Sequence, residues 1–285
     1  MRARGRVVRW AAKGNHRMIF AVRTALAVLA VNALAIPLSA LSAPDPSPTA
    51  RLSRDELIEW AKRDPIGVAR AGRVWFERNV SEYRCTFTKR ESVNGVMRPE
   101  EEIDVRFRAR PYTVLMDWQR NADRAQRVLY VDSPEYVDEQ GRKVARIVPA
   151  GFIARALVGE VKRPIHGPDA QKASRRTIDE FGFLHLFELL EKYHARAEAD
   201  GVLEYRFEGE GEIDGRPTLI FVRLLPVSDD NRYPDARLVL HLDQQWLVPV
   251  ALDSYADADG RVLLGSYRYT DVNLEPKFAA ADFSL

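Results

Sequence analysis

The residues able to do chemistry are sparse and scattered. Beyond residue 43 the chain holds four histidines, His166, His185, His194 and His241, with no H-E-x-x-H motif and no pair four apart. His185 and His194 stand nine residues apart, half a turn out of phase on one helix, so they do not converge on a metal ion. Cys85 is the one cysteine, which excludes an internal disulfide and a cysteine-cluster metal site. A serine nucleophile on a strained turn would show G-x-S-x-G, and a phosphate-cradling loop would show G-x-G-x-x-G or a Walker motif; none occurs. Asp257-Ala-Asp259-Gly260 lacks the further acids and bidentate glutamate of a calcium loop, so a hairpin turn is expected there. Glu100-Glu101-Glu102 reads as a solvated strand end, because acid/base catalysis needs two acids in opposed environments. Gly209-Glu-Gly211 reads as a strand bulge. Arg106, Arg108 and Arg110 form a basic row on one strand face, which either protects an exposed face or edge or meets an anionic headgroup or partner. The sequence thus points away from an enzyme and offers no catalytic, metal or cofactor residues.

The elements that must position these residues follow from periodicity. Ser53-Arg-Asp-Glu56 is a capping box opening a helix through Arg63, with Leu57 and Trp60 on one face. Asp64-Pro65 starts a second helix to about Asn79, with Val68, Val74 and Trp75 available for packing. From Glu82 the period becomes two. Tyr83, Cys85 and Phe87 share a face, Asn94-Gly95 turns, and Ile103, Val105 and Phe107 oppose Asp104, Arg106 and Arg108. Tyr112, Val114, Met116 and Trp118 alternate next, followed by short strands at 127–131 and 144–148. Residues 150–180 break the pattern with an apolar patch (Phe152, Ile153, Ala156, Leu157, Val158) and a long polar loop. Gly182 to Tyr193 is a helix whose Phe183, Leu184, Leu186, Phe187, Leu189 and Leu190 cover most of its circumference, so something large must bury it. Strands resume at 203–207, 218–225, 237–243, 248–255 and 261–272.

Charge and leader bound the setting. The 285 residues carry 43 basic and 41 acidic side chains, but seven of the basic ones and none of the acidic ones fall in residues 1–43. The remaining chain is therefore acidic on balance and lacks the basic field that drives nucleic-acid binding. A basic stretch to Arg23, an apolar run from Thr24 to Ile36 and a break at Pro37 have the layout of a secretory signal peptide, cleaved near Ala43 or kept as an N-terminal anchor that touches the membrane. Residues 44–52 read as a proline-rich linker, 53–80 as N-terminal helices, and 81–285 as the main body with a helical insertion at about 150–195.

Two resemblances carry further. Tyr83-Arg-Cys85-Thr-Phe-Thr-Lys89-Arg90-Glu91-Ser-Val-Asn-Gly95, then Glu101-Glu-Ile103, Arg108-Ala-Arg-Pro111-Tyr-Thr-Val114, Arg176-Thr-Ile-Asp-Glu-Phe-Gly182, Tyr267-Arg-Tyr269-Thr-Asp-Val-Asn273 and Asp282-Phe283, resemble an exported bacterial family, domain of unknown function family 1571. Leu240-His-Leu-Asp243, Leu247-Val-Pro249-Val250 and Tyr255-Ala-Asp-Ala-Asp-Gly260 are similar to the LolA-like lipoprotein-carrier superfamily, with Val248 intervening where leucine and proline are otherwise adjacent. That resemblance implies an open, curved sheet whose concave face cradles acyl chains beneath helices.

The expectation is an α+β protein: a curved antiparallel β half-barrel of about ten strands, with N-terminal helices and a central helix against the concave face. Its implied role is an exported periplasmic or cell-envelope protein that binds lipid or a lipoprotein acyl chain without catalysis, or else a structural module that meets an envelope protein partner. The expected ligand-binding residues are Val105, Phe107, Val114, Met116 and Trp118 on the sheet and Phe183, Leu186, Phe187 and Leu190 on the helix, with the helix acting as a plug. Cys85, sharing a face with Tyr83 and Phe87, is expected to be buried and structural.

Overall fold

Among the described residues, twelve strands pair into one open antiparallel sheet, and their order dictates where the helices go. The structure, a computed structural model, describes residues 46–151, 159–227 and 232–285. The leader and the apolar patch at 152–158 lie outside the described residues. Two helices come first, α1 (Arg54–Arg63) and α2 (Pro65–Asn79). A first meander follows: β1 (Glu82–Val93), β2 (Val96–Met97), β3 (Glu101–Arg108), β4 (Thr113–Arg120), β5 (Ala125–Val131), β6 (Val144–Pro149) and β7 (Val161–Pro164). Next come α3 (Pro168–Ala173) and α4 (Phe183–Ala199). A second meander closes the chain: β8 (Glu204–Ile213), β9 (Arg216–Leu224), β10 (Arg237–Asp243), β11 (Pro249–Tyr255) and β12 (Leu263–Asn273).

The sheet runs β7-β6-β5-β4-β3-β1-β12-β11-β10-β9-β8, with the two-residue β2 folded back on β1. The two meanders therefore join at the centre through β1 and β12, in a register that sets Phe87 opposite Tyr269 and Lys89 opposite Tyr267. The edges are β7 and β8. The expected ten strands become twelve because the Asn94-Gly95 hairpin closes at once into β2, and because 161–164, read as loop, pairs with β6. Val161 faces Ile147 in that pairing.

Alternation on β1 is strict. Tyr83, Cys85, Phe87, Lys89, Glu91 and Val93 all point to the concave face and are buried. Cys85 is 1% exposed, and burial pushes its thiol pKa up, so it stays protonated and inert. The α1 capping box forms as the sequence implies, with Ser53 and Glu56 each capping the other. On α2 the buried face is Val68, Ala69, Gly72 and Phe76, whereas Val74 is exposed; Ala69 and Gly72 let the helix lie close. The segment expected to be a loose linker is folded back from residue 46: Ala50 and Leu52 close turns, and Thr49 Oγ1 donates to the Gln245 carbonyl.

What α2 lies against is the β10–β11 turn. Asp243, fully buried, accepts from the backbone N–H groups of Gln245 and Trp246 and receives two Arg216 nitrogens at 2.7 and 3.0 Å. The Arg216 guanidinium stacks 3.7 Å over Trp246. This turn absorbs Val248: pairing shifts between His241 and Leu242, so Leu242 meets Pro249. Gly72 seats directly on it, and a Cβ at that position would lie 2.2 Å from the Leu247 carbonyl oxygen.

Two predictions follow from this packing. Gly72→Ala should gain about 1 kcal/mol in helix propensity and lose more through overpacking against backbone, leaving a net loss of about 2 kcal/mol that thermal unfolding reads as a lowered Tm. The second concerns His194, buried on α4 with its ring 4.4 Å from that of Tyr205. Burial, with help from the charge of Arg223, lowers its pKa from 6.5 to about 3. The unfolded chain therefore binds a proton that the folded chain refuses. Stability is full above pH 6.5 and falls with pH between 6.5 and 3. Chemical denaturation at pH 7.5 and 5 should show a loss of about 2 kcal/mol from this group, and His194→Phe should remove that part of the slope.

Candidate ligand-binding site

The chain must pass from β7 at one edge to β8 at the other, and residues 165–203 make that passage across the concave face. The passage roofs the face without filling it. A cavity of about 410 Å³ remains between roof and sheet, within the range of about 300–1,000 Å³ typical of small-molecule sites.

Its floor at one end is apolar: Met116 and Trp118 from β4, Val128 from β5, Ile147 from β6 and Val161 from β7. These residues meet because the pairings Met116–Val128, Val128–Ile147 and Ile147–Val161 set them in one row across four strands. Ile178, Phe181, Leu186 and Leu189 close the roof. Gly182, at φ 114°, lets the chain turn into α4, and a side chain there would strike the Tyr83 hydroxyl at 2.9 Å.

The middle of the cavity is polar and locked. Lys89 Nζ lies 3.2 Å from Glu91 and 3.6 Å from Glu101. Glu91 also accepts from Ser174 at 2.9 Å and Tyr267 at 2.8 Å, and Glu101 accepts from the Trp118 indole at 2.5 Å. Burial disfavours the Glu91 carboxylate, but Lys89, Tyr267 and Ser174 outweigh it and lower its pKa. Ser174 and Lys89 have the spacing of a nucleophile and base, yet the serine proton is committed to Glu91 and the lysine is shared between two carboxylates. The cluster fastens the roof segment at Ser174 to β1. A second fastening is Tyr112, whose hydroxyl lies 2.8 and 2.9 Å from the Ile178 and Phe181 carbonyl oxygens.

The far end holds Arg223 from β9 and Asp235, paired at 3.0 Å, both buried. Burial raises the Asp235 pKa even with Arg223 beside it.

Of the residues expected to bind ligand, Met116, Trp118, Leu186 and Leu190 line the cavity. Val105, Phe107, Val114, Phe183 and Phe187 do not. They sit in the solid core where α4 seats on the sheet, with Phe183 and Phe187 at 0 and 1% exposure. Aromatic contacts fill that region: Tyr83 stacks on Phe107 at 4.6 Å, and Phe183 lies 4.8 Å from both Tyr83 and Tyr269. The helix expected as a plug packs Phe183 and Phe187 into the core while Leu186 and Leu190 line the cavity, and it is longer than expected, reaching Ala199. Leu189, outside the expected set, faces the cavity and packs into no core cluster.

Reading Glu100-Glu101-Glu102 as a solvated strand end holds for Glu100 and Glu102, which share Arg120, but not for Glu101, which enters the cavity. Lys89 and Glu91 were legible by the same alternation that placed Cys85. Arg223 and Asp235, distant in pairing, gave no such signal. The arginine row is used on the opposite face. Arg106 and Arg108 donate to the Asp282 and Phe278 carbonyls, and Arg108 lies 4.7 Å over the Phe283 ring, so the row holds down the C-terminal segment. Arg110 is exposed. Asp257 caps its turn by accepting from Arg261 and Val262, as a hairpin requires. Among the described residues no group of histidine, cysteine and acidic side chains could hold a metal ion.

No curated protein matches this chain. Among solved structures, it is similar to MucB in the Pseudomonas aeruginosa MucA/MucB complex, at 20% identity over 76% of this chain and 58% of that chain, with a TM-score of 0.39. A putative outer membrane lipoprotein-sorting protein domain from Vibrio parahaemolyticus gives 11% identity, coverage of 76 and 95%, and a TM-score of 0.35. Mycobacterium tuberculosis lipoprotein LppX gives 15%, 75 and 98%, and 0.36. The chain spans little more than half of the MucB chain. The family described as protein of unknown function (DUF1571) matches residues 80–285, and because that match takes in both meanders and the passage between them, the chain belongs to this family.

Proposed function

We propose that this protein is an exported envelope protein that binds the acyl chain of a lipid or lipoprotein in the cavity between the concave face and residues 165–193, without chemistry. The observation that supports this most is the row Met116–Val128–Ile147–Val161. Four strands present large apolar side chains to an unfilled space, where a protein core is normally packed to crystal-like density. An unfilled apolar row costs dispersion and hydrophobic stabilisation that an acyl chain would restore. The signal-peptide layout of residues 1–43 supports export, and the fastened state of Ser174 argues for binding rather than nucleophilic catalysis.

Leu189→Trp tests this reading, because the larger ring occupies cavity space while leaving the core contacts of Phe183 and Phe187 in place. Purified protein should take up a fluorescent fatty acid at micromolar concentration, and the variant should bind about tenfold more weakly with Tm little changed. Absence of uptake by the wild-type protein, with no lipid copurifying from the native envelope, would overturn the reading in favour of a module that only meets another envelope protein.

A further inference from the structure

Most of the charged groups around the cavity are paired with one another. Lys89 is matched by Glu91 and Glu101, Arg124 at the rim by Asp123 and Asp169, and Arg176 by Glu180. Arg175, between the roof helix α3 and the turn into α4, lines the same cavity and makes no hydrogen bond or ion pair among the described residues. Its Nη1 is buried. On the sheet side, Arg223 is 2% exposed; one of its nitrogens is held by Asp235, and its Nε is buried with no partner. Two guanidinium groups, one from the roof and one from the floor, thus line a single cavity, and each has a buried nitrogen with no hydrogen-bond partner.

Buried donors without acceptors are uncommon and costly, and a guanidinium is the side chain best shaped to receive a carboxylate or phosphate in two-pronged fashion. Arg175 reaches the region between the locked middle and the far end: burial raises the pKa of both Asp235 and Tyr267, and the charge of Arg175, with that of Arg176, pulls both back. Neither group supplies it with a counter-ion. The Glu91 oxygens already carry Tyr267, Ser174 and Lys89, and Asp235 is taken by Arg223. Opposite this cationic end lies the apolar row from Met116 to Val161. One end suits an anion and the other suits a hydrocarbon chain.

We infer that the ligand is an anionic amphiphile, its carboxylate or phosphate bound by Arg175 with Arg223 behind it and its chain lying along Met116, Val128, Ile147 and Val161. This rests on the proposed acyl-binding role and adds the head-group chemistry.

The experiment measures displacement of a neutral fluorescent dye from the full-length protein by palmitate, 1-palmitoyl lysophosphatidate and hexadecanol. Palmitate or lysophosphatidate should bind about tenfold or more tightly than hexadecanol, the tighter of the two identifying carboxylate or phosphate as the head. Arg175→Gln should bring the anions down to the level of the alcohol and leave the alcohol unchanged, while Arg175→Lys keeps part of the preference. Arg175 is on a partly exposed turn, so the variant should fold, and equal Tm checks this. Equal binding of all three ligands, or an equal loss of all three in Arg175→Gln, would overturn the head-group inference and leave the cavity reading standing. If none of the three displaces the dye and Leu189→Trp has no effect on it, the acyl-binding reading itself fails.

Discussion

The pairing of β1 with β12 is the constraint from which the architecture follows. These are the first and last long strands of the chain, and their ladder makes two sequential meanders into one sheet. Once they meet at the centre, the strands that lie between them in sequence, β7 and β8, are driven to opposite edges. The segment joining those edges has no route along the sheet. It must cross a face, and the face it crosses is the one where β1 and β12 place Tyr83, Phe87 and Tyr269. An antiparallel sheet needs only one face covered, so a single crossing suffices for the concave side. The convex side is covered locally by the C-terminal segment held on Arg106, Arg108 and Arg127.

That crossing also explains why the roof is uneven. Over β9–β11, α1 and α2 add Leu57, Ala61 and Val68 to a continuous core with Leu219, Phe221 and Leu240. At the centre, α4 contributes Phe183 and Phe187. Among the described residues, α3 and its flanking loops lie over β4–β7, and α3 buries no residue at all. A six-residue helix has too little surface to seal four strands. The space beneath it follows from the shortness of the roof and the length of the floor, and two polar fasteners, Ser174 on Glu91 and Tyr112 on the 178–181 carbonyls, set its height.

Much of this was legible from local pattern. Period-two alternation from Glu82 located β1, β3 and β4 and the burial of Cys85; the capping box at Ser53 and the proline at 65 located both N-terminal helices. The site was less legible. The stripe Phe183, Leu186, Phe187 and Leu190 is expected from the sequence to meet ligand, whereas Phe183 and Phe187 meet solid core and Leu189, outside the stripe, faces the cavity without joining a core cluster. Hydrophobicity reports that a residue leaves water and is silent on whether it meets protein or a void. The arginine row failed differently: its partners are backbone carbonyls about 170 residues away in sequence, contacts that side-chain type cannot encode.

The buried charges show how the two halves of the site differ. Lys89, Glu91 and Glu101 form a network in which every charged group has partners, so its desolvation cost is offset and it fixes geometry. Arg223 and Arg175 differ, since each retains a buried donor without an acceptor. A chain selected for stability alone would exchange such groups for apolar ones or supply a second carboxylate, because truncating or pairing an orphaned donor recovers the lost hydrogen bond. Keeping the network closed in the middle and the donors open at one end separates two tasks. The closed part ties the roof to the floor, and the open part leaves guanidinium nitrogens of Arg175 and Arg223 without partners. The apolar row across β4–β7 and the buried Arg223–Asp235 pair at β9 thereby lie in one cavity crossed by a closed polar network.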